Sequence, residues 1–204
     1  MKYLGSKTIE TERLILKSET IDEQKRFWEI LMIPEVNRYY LTVPVKFRDK
    51  LKDWDKQKVY YEEDMKKANS PDVFRWSIFL KDNNQYIGRI SCHDGSVEDE
   101  SITSPDIRGV AWIIDPKYQG NGYGTEAAKA MINYMFLDCG IEKIVTCAAI
   151  DNPASWKVME KLGFVRQDKT KMIQYTYLDE STPCYSYELT KEKYLTFNSS
   201  KIMW

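Results

Sequence analysis

The sequence has one histidine, His93, among 204 residues. A zinc site would therefore have to be built mainly from cysteine. The four cysteines, Cys92, Cys139, Cys147 and Cys184, form no C-x-x-C pair. No metal site is expected, and the thiols read as ordinary core or near-surface side chains. An excess of either charge is also missing: 30 basic and 31 acidic residues leave a net charge of −1. Broad, charge-driven nucleic-acid binding needs a strongly basic surface, so no nucleic-acid partner is expected. The opening residues, MKYLGSKTIETERL, hold no apolar core of the secretory kind. Nowhere do apolar residues run to the roughly 18 positions of a membrane span. The reading is a soluble, cytoplasmic chain that engages no membrane. Repeats and linkers are missing too. With 43% apolar residues, one sizeable domain over 1–204 is expected, with a tail from about 190.

Elements can be read along the chain. RLILKS (13–18) alternates as a strand. Thr20 or Asp22 can cap a helix to about Met32, and Pro34 ends it. Residues 39–60 are aromatic, charged and of no clear type; a helix over 60–68 stops at Asn69-Ser70-Pro71. VFRWSIFLK (73–81) and YIGRISCHD (86–94) flank a polar turn and predict an antiparallel hairpin. A polar loop over 95–106 leads to a strand at 107–114, a helix at 122–138 and a strand at 143–150. That βαβ unit makes its two strands parallel neighbours. A short helix (152–162) and two late strands (164–177, 184–189) complete a mixed α/β domain.

Within the βαβ unit stands DPKYQGNGYGTEAAKA (115–130), with Gly120, Gly122 and Gly124 inside five residues. A helix N-terminus offers unpaired N–H groups and about half a positive charge. Glycines let an anion approach that backbone and let φ go positive, so the pattern suits a phosphate. A Walker loop would need a lysine where Gly124-Thr125-Glu126 has none. GYGTEA satisfies the dinucleotide fingerprint with Ala127 in its last place, but that fingerprint opens a fold, and this one comes mid-chain after a hairpin. A helix cap without ligand is the plain alternative. Glu126 would repel a phosphate and is expected to point away.

Two motifs together carry a resemblance. QGNGYG (119–124) fits [RQ]-x-x-G-x-[GA], and NPASWKVMEKLGF (152–164) fits N-x-x-[SA] opening a helix that ends in K-L-G-F. The chain resembles the GCN5-related N-acetyltransferases (GNAT), and among them the RimJ/RimL-like group that acetylates ribosomal-protein N-termini. The match covers about 107–167; ETERLIL, PEVNRYY and YIGRIS are similar less specifically. The resemblance implies a GNAT-like single domain, with a central mixed, mostly antiparallel sheet of about seven strands flanked by helices. Its βαβ unit at 107–150 would bind acetyl-CoA. Gln119, Gly120, Asn121, Gly122, Tyr123, Gly124 and Thr125 would wrap the pyrophosphate. Trp112, Ile113 and Ile114 would splay from strand 143–150 and open a slot for pantetheine. Asn152 would contact the pantetheine arm and Ser155 would sit near the sulfur. Each motif residue also has a plain structural use: Asn152-Pro153 is a preferred helix start, and Gly163-Phe164 a preferred helix end.

The implied reaction is direct attack of a neutral amine on the thioester in a ternary complex, with Ser155 protonating the departing thiolate. Neutralising an α-amine at pH 7 costs about 1.4 kcal/mol, and a lysine amine roughly 4.6 kcal/mol, so an N-terminal acceptor needs little help from a base. His93 is the one candidate base, although a lone histidine is more often structural. The acceptor, a peptide N-terminus or a small molecule such as a polyamine, amino acid or aminoglycoside, stays open. So does the choice of monomer or homodimer. A CoA-binding module without turnover and a nucleotide-binding module are the competing readings. Tyr39, Tyr40, Phe47, Trp54 and Tyr60 could line an acceptor cleft, though core packing is the expectation for most.

Overall fold

Alternating side chains sort the sheet into two faces. A computed structural model describes residues 1–94 and 102–201, so the predicted loop over 95–106 lies mostly outside the described residues. Along β3 (Phe74–Leu80), Phe74, Trp76, Ile78 and Leu80 enter one core cluster, and Phe79 enters another on the opposite face. Such two-sided burial is what a central strand with apolar residues at nearly every position gives. Fully burying a large side chain of this kind stabilises by roughly 1.5–3 kcal/mol.

The strands are β1 (Ile9–Glu10), β2 (Leu14–Ser18), β3, β4 (Tyr86–His93), β5 (Ile107–Ile114), β6 (Lys143–Ala149), β7 (Val165–Ile173) and β8 (Thr182–Thr190). They form one sheet in the order β1-β2-β3-β4-β5-β6-β8-β7. The helices are α1 (Ile21–Leu31), α2 (Pro34–Asn37), α3 (Arg48–Leu51), α4 (Trp54–Met65), α5 (Tyr123–Asn133), α6 (Pro153–Lys161) and α7 (Lys191–Lys201). α5 brings Ala127, Ala128 and Met131, all with no exposed surface, to the larger cluster. α1 and α4 cover the other face with Phe27, Ile30, Leu31 and Tyr61.

The mixed α/β sheet flanked by helices agrees with the sequence reading, and β1 adds a two-residue strand to the seven read from it. Three boundaries differ for physical reasons. α4 starts at Trp54, six residues before the expected helix at 60, because Asp53 caps it by accepting from Lys56 N–H at 3.4 Å. Tyr61 is its one buried residue, so it shows no apolar stripe to read. The expected tail from 190 is α7, which docks through buried Tyr194; the phenol bonds Asn133 Oδ1 at 2.8 Å. β7 ends at Ile173, not 177, where a turn toward residues 41–48 begins.

The parallel pair is the exception in an otherwise antiparallel sheet. β5 and β6 meet only at Ile107↔Lys143, Arg108↔Ile144 and Gly109↔Val145. Beyond these, β5 follows β4 to Ile114 and β6 follows β8 to Ala149, so the two diverge.

Candidate active site

The divergence of β5 and β6 opens a cleft of about 890 Å³. Its backbone orientation follows from the ladder. Asp115 N–H donates to Ile87 O at 2.8 Å, so the odd residues of β5 face β4. The even residues then face the gap. Thr146 Oγ1 donates to Val110 O at 3.2 Å, and Gln119 Nε2 donates to Ile114 O at 2.9 Å. The peptide groups of Trp112 lie between them, turned to the opening. Ile113 lines the cleft too, but its backbone pairs with Arg89 and its side chain is buried beside Phe27.

The glycine loop closes one end. Gly120 and Gly122 take φ of +79° and +82°, conformations that L side chains rarely adopt. Gly124 begins the close contact of α5 with β5: a Cβ there would lie 3.5 Å from Ile114 Cγ1. Gly122 is the N-cap of α5, and the first helical N–H groups meet the cleft beside Tyr123, Gly124 and Thr125. Asn121 does not line the cleft. Its amide bonds Tyr118 O and Gln119 O at 3.2 and 3.1 Å, closing the loop on itself.

Glu126 points away from the loop, as its charge requires. It accepts from Thr11 Oγ1 at 2.6 Å, Arg13 N at 2.9 Å and Arg13 Nε at 2.7 Å. Burial would raise its pKa, yet these hydrogen bonds outweigh burial and hold the carboxyl below its usual range. Arg13 is the residue that sequence reasoning missed here. Its Nη1 donates to Asn121 O at 3.0 Å, and its guanidinium lies 4.7 Å from the Tyr123 ring centre. It therefore ties β2 to the glycine loop.

α6 forms the adjoining wall. Asn152 lines the cleft, and although it stands at the N-cap its side chain makes no capping bond. The helix ends as a Schellman motif: Phe164 N–H reaches Met159 O and Gly163 N–H reaches Glu160 O, each at 3.1 Å. Ser155 lines the cleft one turn in, half-buried.

The other end is built from distant segments. Glu35, Tyr39, Tyr40 and Thr42 come from α2 and the chain after it, Ser91 and His93 from β4, and Tyr175 from beyond β7. His93 has room because residue 109 is glycine: a Cβ there would lie 2.4 Å from the imidazole Cε1. Asp94, its neighbour, faces Arg108 at 3.9 Å. Tyr40 stands near a buried charge cluster in which Glu19 takes Arg75 Nε at 2.5 Å and Arg89 Nε at 2.6 Å. Burial pushes the Tyr40 phenol up, more than Arg89 pulls it down. Of the other aromatics read as cleft or core, Trp54 packs on Trp28, while Phe47 and Tyr60 are exposed and do neither. Lys157, Lys161 and Lys171 complete the lining.

No described helix is long and apolar enough to cross a membrane. Comparison with known proteins fits the geometry. The family model described as "Acetyltransferase (GNAT) domain" matches residues 13–165, three quarters of the chain. The uncharacterized N-acetyltransferase YnaD of Bacillus subtilis (strain 168) is 27% identical over 113 residues, covering 53% of this chain and 62% of YnaD. The chain therefore spans less than two thirds of that relative's length. Among solved structures, the ribosomal-protein-S5-alanine acetyltransferase of Vibrio fischeri aligns with a TM-score of 0.70 at 16% identity, over 93% of this chain and 99% of that one. The spermidine N-acetyltransferase of Vibrio cholerae, solved with CoA and spermine, aligns with a TM-score of 0.69 at 16% identity, over 91% and 99%. At that identity the likeness is one of fold.

Proposed function

This chain belongs to the acetyltransferase (GNAT) family, and from that premise we propose that it moves acetyl from acetyl-CoA to a primary amine bearing a single positive charge, of which a protein N-terminal α-amine is the type. The two structural neighbours act on a ribosomal protein and on spermidine by their names, at equal identity, so fold does not choose between acceptors.

One observation carries the choice: Glu35 is the sole carboxylate among the described lining residues. A polyamine brings several ammonium groups to the acceptor end, where one carboxylate offsets only one. A lone ammonium meets Glu35 beside Tyr39, Tyr40 and Tyr175, whose aromatic bodies suit an apolar flank.

On this reading the pyrophosphate lies on the N–H groups at 119–125, where helix dipole and glycine backbone favour an anion. Pantetheine fills the gap between β5 and β6, against the peptide of Trp112 and the amide of Asn152. The neutral amine forms its bond to the acetyl carbon, and the Trp112 N–H is placed to receive the carbonyl oxygen as charge develops on it. The carbon–sulfur bond breaks, and the Ser155 hydroxyl gives a proton to the leaving thiolate, directly or through water. The amine loses its surplus proton toward solvent or His93, a modest demand for an α-amine and a large one for a lysine, and solvent returns a proton to the Ser155 oxygen.

The test is release of free thiol from acetyl-CoA over a panel of peptides with free N-termini, the same peptides with blocked N-termini and one lysine, free amino acids, spermidine and an aminoglycoside. Turnover is expected with free N-termini. Faster turnover of spermidine than of any peptide would overturn the acceptor assignment and leave acetyl transfer standing.

A further inference from the structure

The acceptor end is held in place by a residue that no motif contains. Thr176 lies on the turn after β7 with no exposed surface. All three of its hydrogen-bonding groups grip one segment, residues 41–48. Its N–H donates to Leu41 O at 2.8 Å, and its hydroxyl donates to Val43 O at 2.6 Å. Its carbonyl accepts from Arg48 Nε at 3.0 Å, and the same guanidinium reaches Asp179 at 3.3 Å. Thr42, which lines the cleft, stands between the two gripped carbonyls.

The gripped segment has few other anchors. Val45 and Phe47 are 40% and 38% exposed, and neither the 3₁₀ turn at Val45–Phe47 nor α3 buries a residue. Tyr40 and Leu41 pack against the second core cluster, but beyond them apolar packing does little to fix 43–48, and directed hydrogen bonds must. The next residue acts alongside: the ring of Tyr175 meets Tyr39 edge-on at 5.7 Å, and its hydroxyl lies 3.4 Å from Cys184 Sγ. Residues 175 and 176 thus fix the far side of the cleft to the strands beneath, one by its ring and one by its polar groups.

We infer that Thr176 is a positioning residue for the acceptor: its clasp on 41–48 sets the place of Thr42 directly and, together with the ring packing of Tyr39 and Tyr40, that of the whole wall, and through it acceptor affinity. This rests on the reading of the cleft as an N-acetyltransferase site. Thr176 touches no reacting atom in that account, and the donor elements at 119–125 and 152–155 share no hydrogen bond with it.

Thr176→Val keeps the shape and the backbone bonds and removes the hydroxyl donor. Losing one buried hydrogen bond of this kind is expected to raise the acceptor KM about 10-fold, with kcat within about two-fold and acetyl-CoA Kd unchanged. Thr176→Ser, which restores the donor, should return KM to wild type. Unchanged acceptor KM in folded T176V overturns the inference, as does an equal rise in acetyl-CoA Kd. Arg48→Ala loosens the same clasp from the surface, should raise KM similarly, and serves if T176V does not fold. Hydrogen exchange gives a reading that needs no acceptor. Faster exchange at 41–48 in T176V or R48A, with 119–125 unchanged, supports the clasp; unchanged exchange at 41–48 overturns it. If the wild-type chain turns over no amine, the activity reading fails, while exchange still decides the clasp.

Discussion

The two ends of the cleft are built in opposite ways. The donor end is compact in sequence: a glycine loop, a helix start and a second helix start within residues 119–155. The groups it offers are largely backbone N–H, placed by φ angles that glycine permits. The acceptor end draws on residues 35–42, 91–93 and 173–175, and its groups are largely side chains. The difference follows from chemistry. A pyrophosphate is the same in every turnover and is well met by fixed peptide dipoles. An acceptor is told from its competitors by the shape and charge of side chains.

This contrast predicts separable defects. The largest concerns the point where the two ends meet. Ser155→Ala should lower kcat by about 100-fold, the scale of one general acid, with acetyl-CoA Kd and acceptor KM little changed. Single-turnover and binding measurements on the same variant check it, and an unchanged kcat would remove Ser155 from the chemistry. Next is the donor end. Gly122→Val places a branched side chain at φ +82° and beside Arg13, where a Cβ already comes within 3.5 Å of Nη2. Acetyl-CoA Kd should rise by roughly 100-fold through strain and lost approach. Calorimetry reads this, with the melting temperature as control; a rise in acceptor KM alone would contradict the division of labour.

A smaller effect belongs to the acceptor end. Glu35→Gln should raise the KM of an N-terminal peptide about 5- to 10-fold, as expected for losing one charged partner of an ammonium, and leave acetyl-CoA binding intact. Equal loss for a neutral, pre-deprotonated amine analogue would show that Glu35 acts by shape and not by charge. The smallest is a pH effect. Glu126 has a lowered pKa when folded, so its contribution to stability is complete above the ordinary carboxylate value of about 4.3 and is lost as pH falls through the folded value. The stability difference between wild type and Glu126→Gln should be constant from pH 7 to about 5 and shrink in more acidic buffer. Denaturant titrations at each pH follow it. A gap that widens with acid would reverse the assigned sign.

The loop and helix starts that line one end of the cleft were readable because glycine turns and helix caps leave local marks. On the proposed reading Gly120, Gly122 and the Asn152-Pro153 start answer both to a ligand and to the start of a helix, and both demands act within a few residues. The βαβ reading also placed the parallel pair, though alternation alone gave no hint that it ends after Gly109↔Val145. The acceptor end left few marks. Thr176 and Arg48 work through backbone carbonyls more than a hundred residues apart, and carbonyls have no sequence signature. α4 was misplaced for a related reason, since a helix with one buried residue has no periodicity to betray it. Arg13 was read only as the start of a strand, because its partners Glu126 and Asn121 become neighbours only when β2 and α5 pack.

The three-pair seam between β5 and β6 has a mechanical consequence. Five strands lie on one side of it and three on the other, joined by only three residue pairs; of the strand edges only that of the two-residue β1 is shorter. A pantetheine chain threaded into the opening would act as a ninth, non-peptide strand and lengthen that edge. The co-substrate would then be a structural rivet as well as a reagent. The melting temperature should climb with acetyl-CoA concentration by the mass action of a ligand that binds only the folded chain. Exchange should slow on both flanks of the seam at once, as it does when a zip is drawn closed.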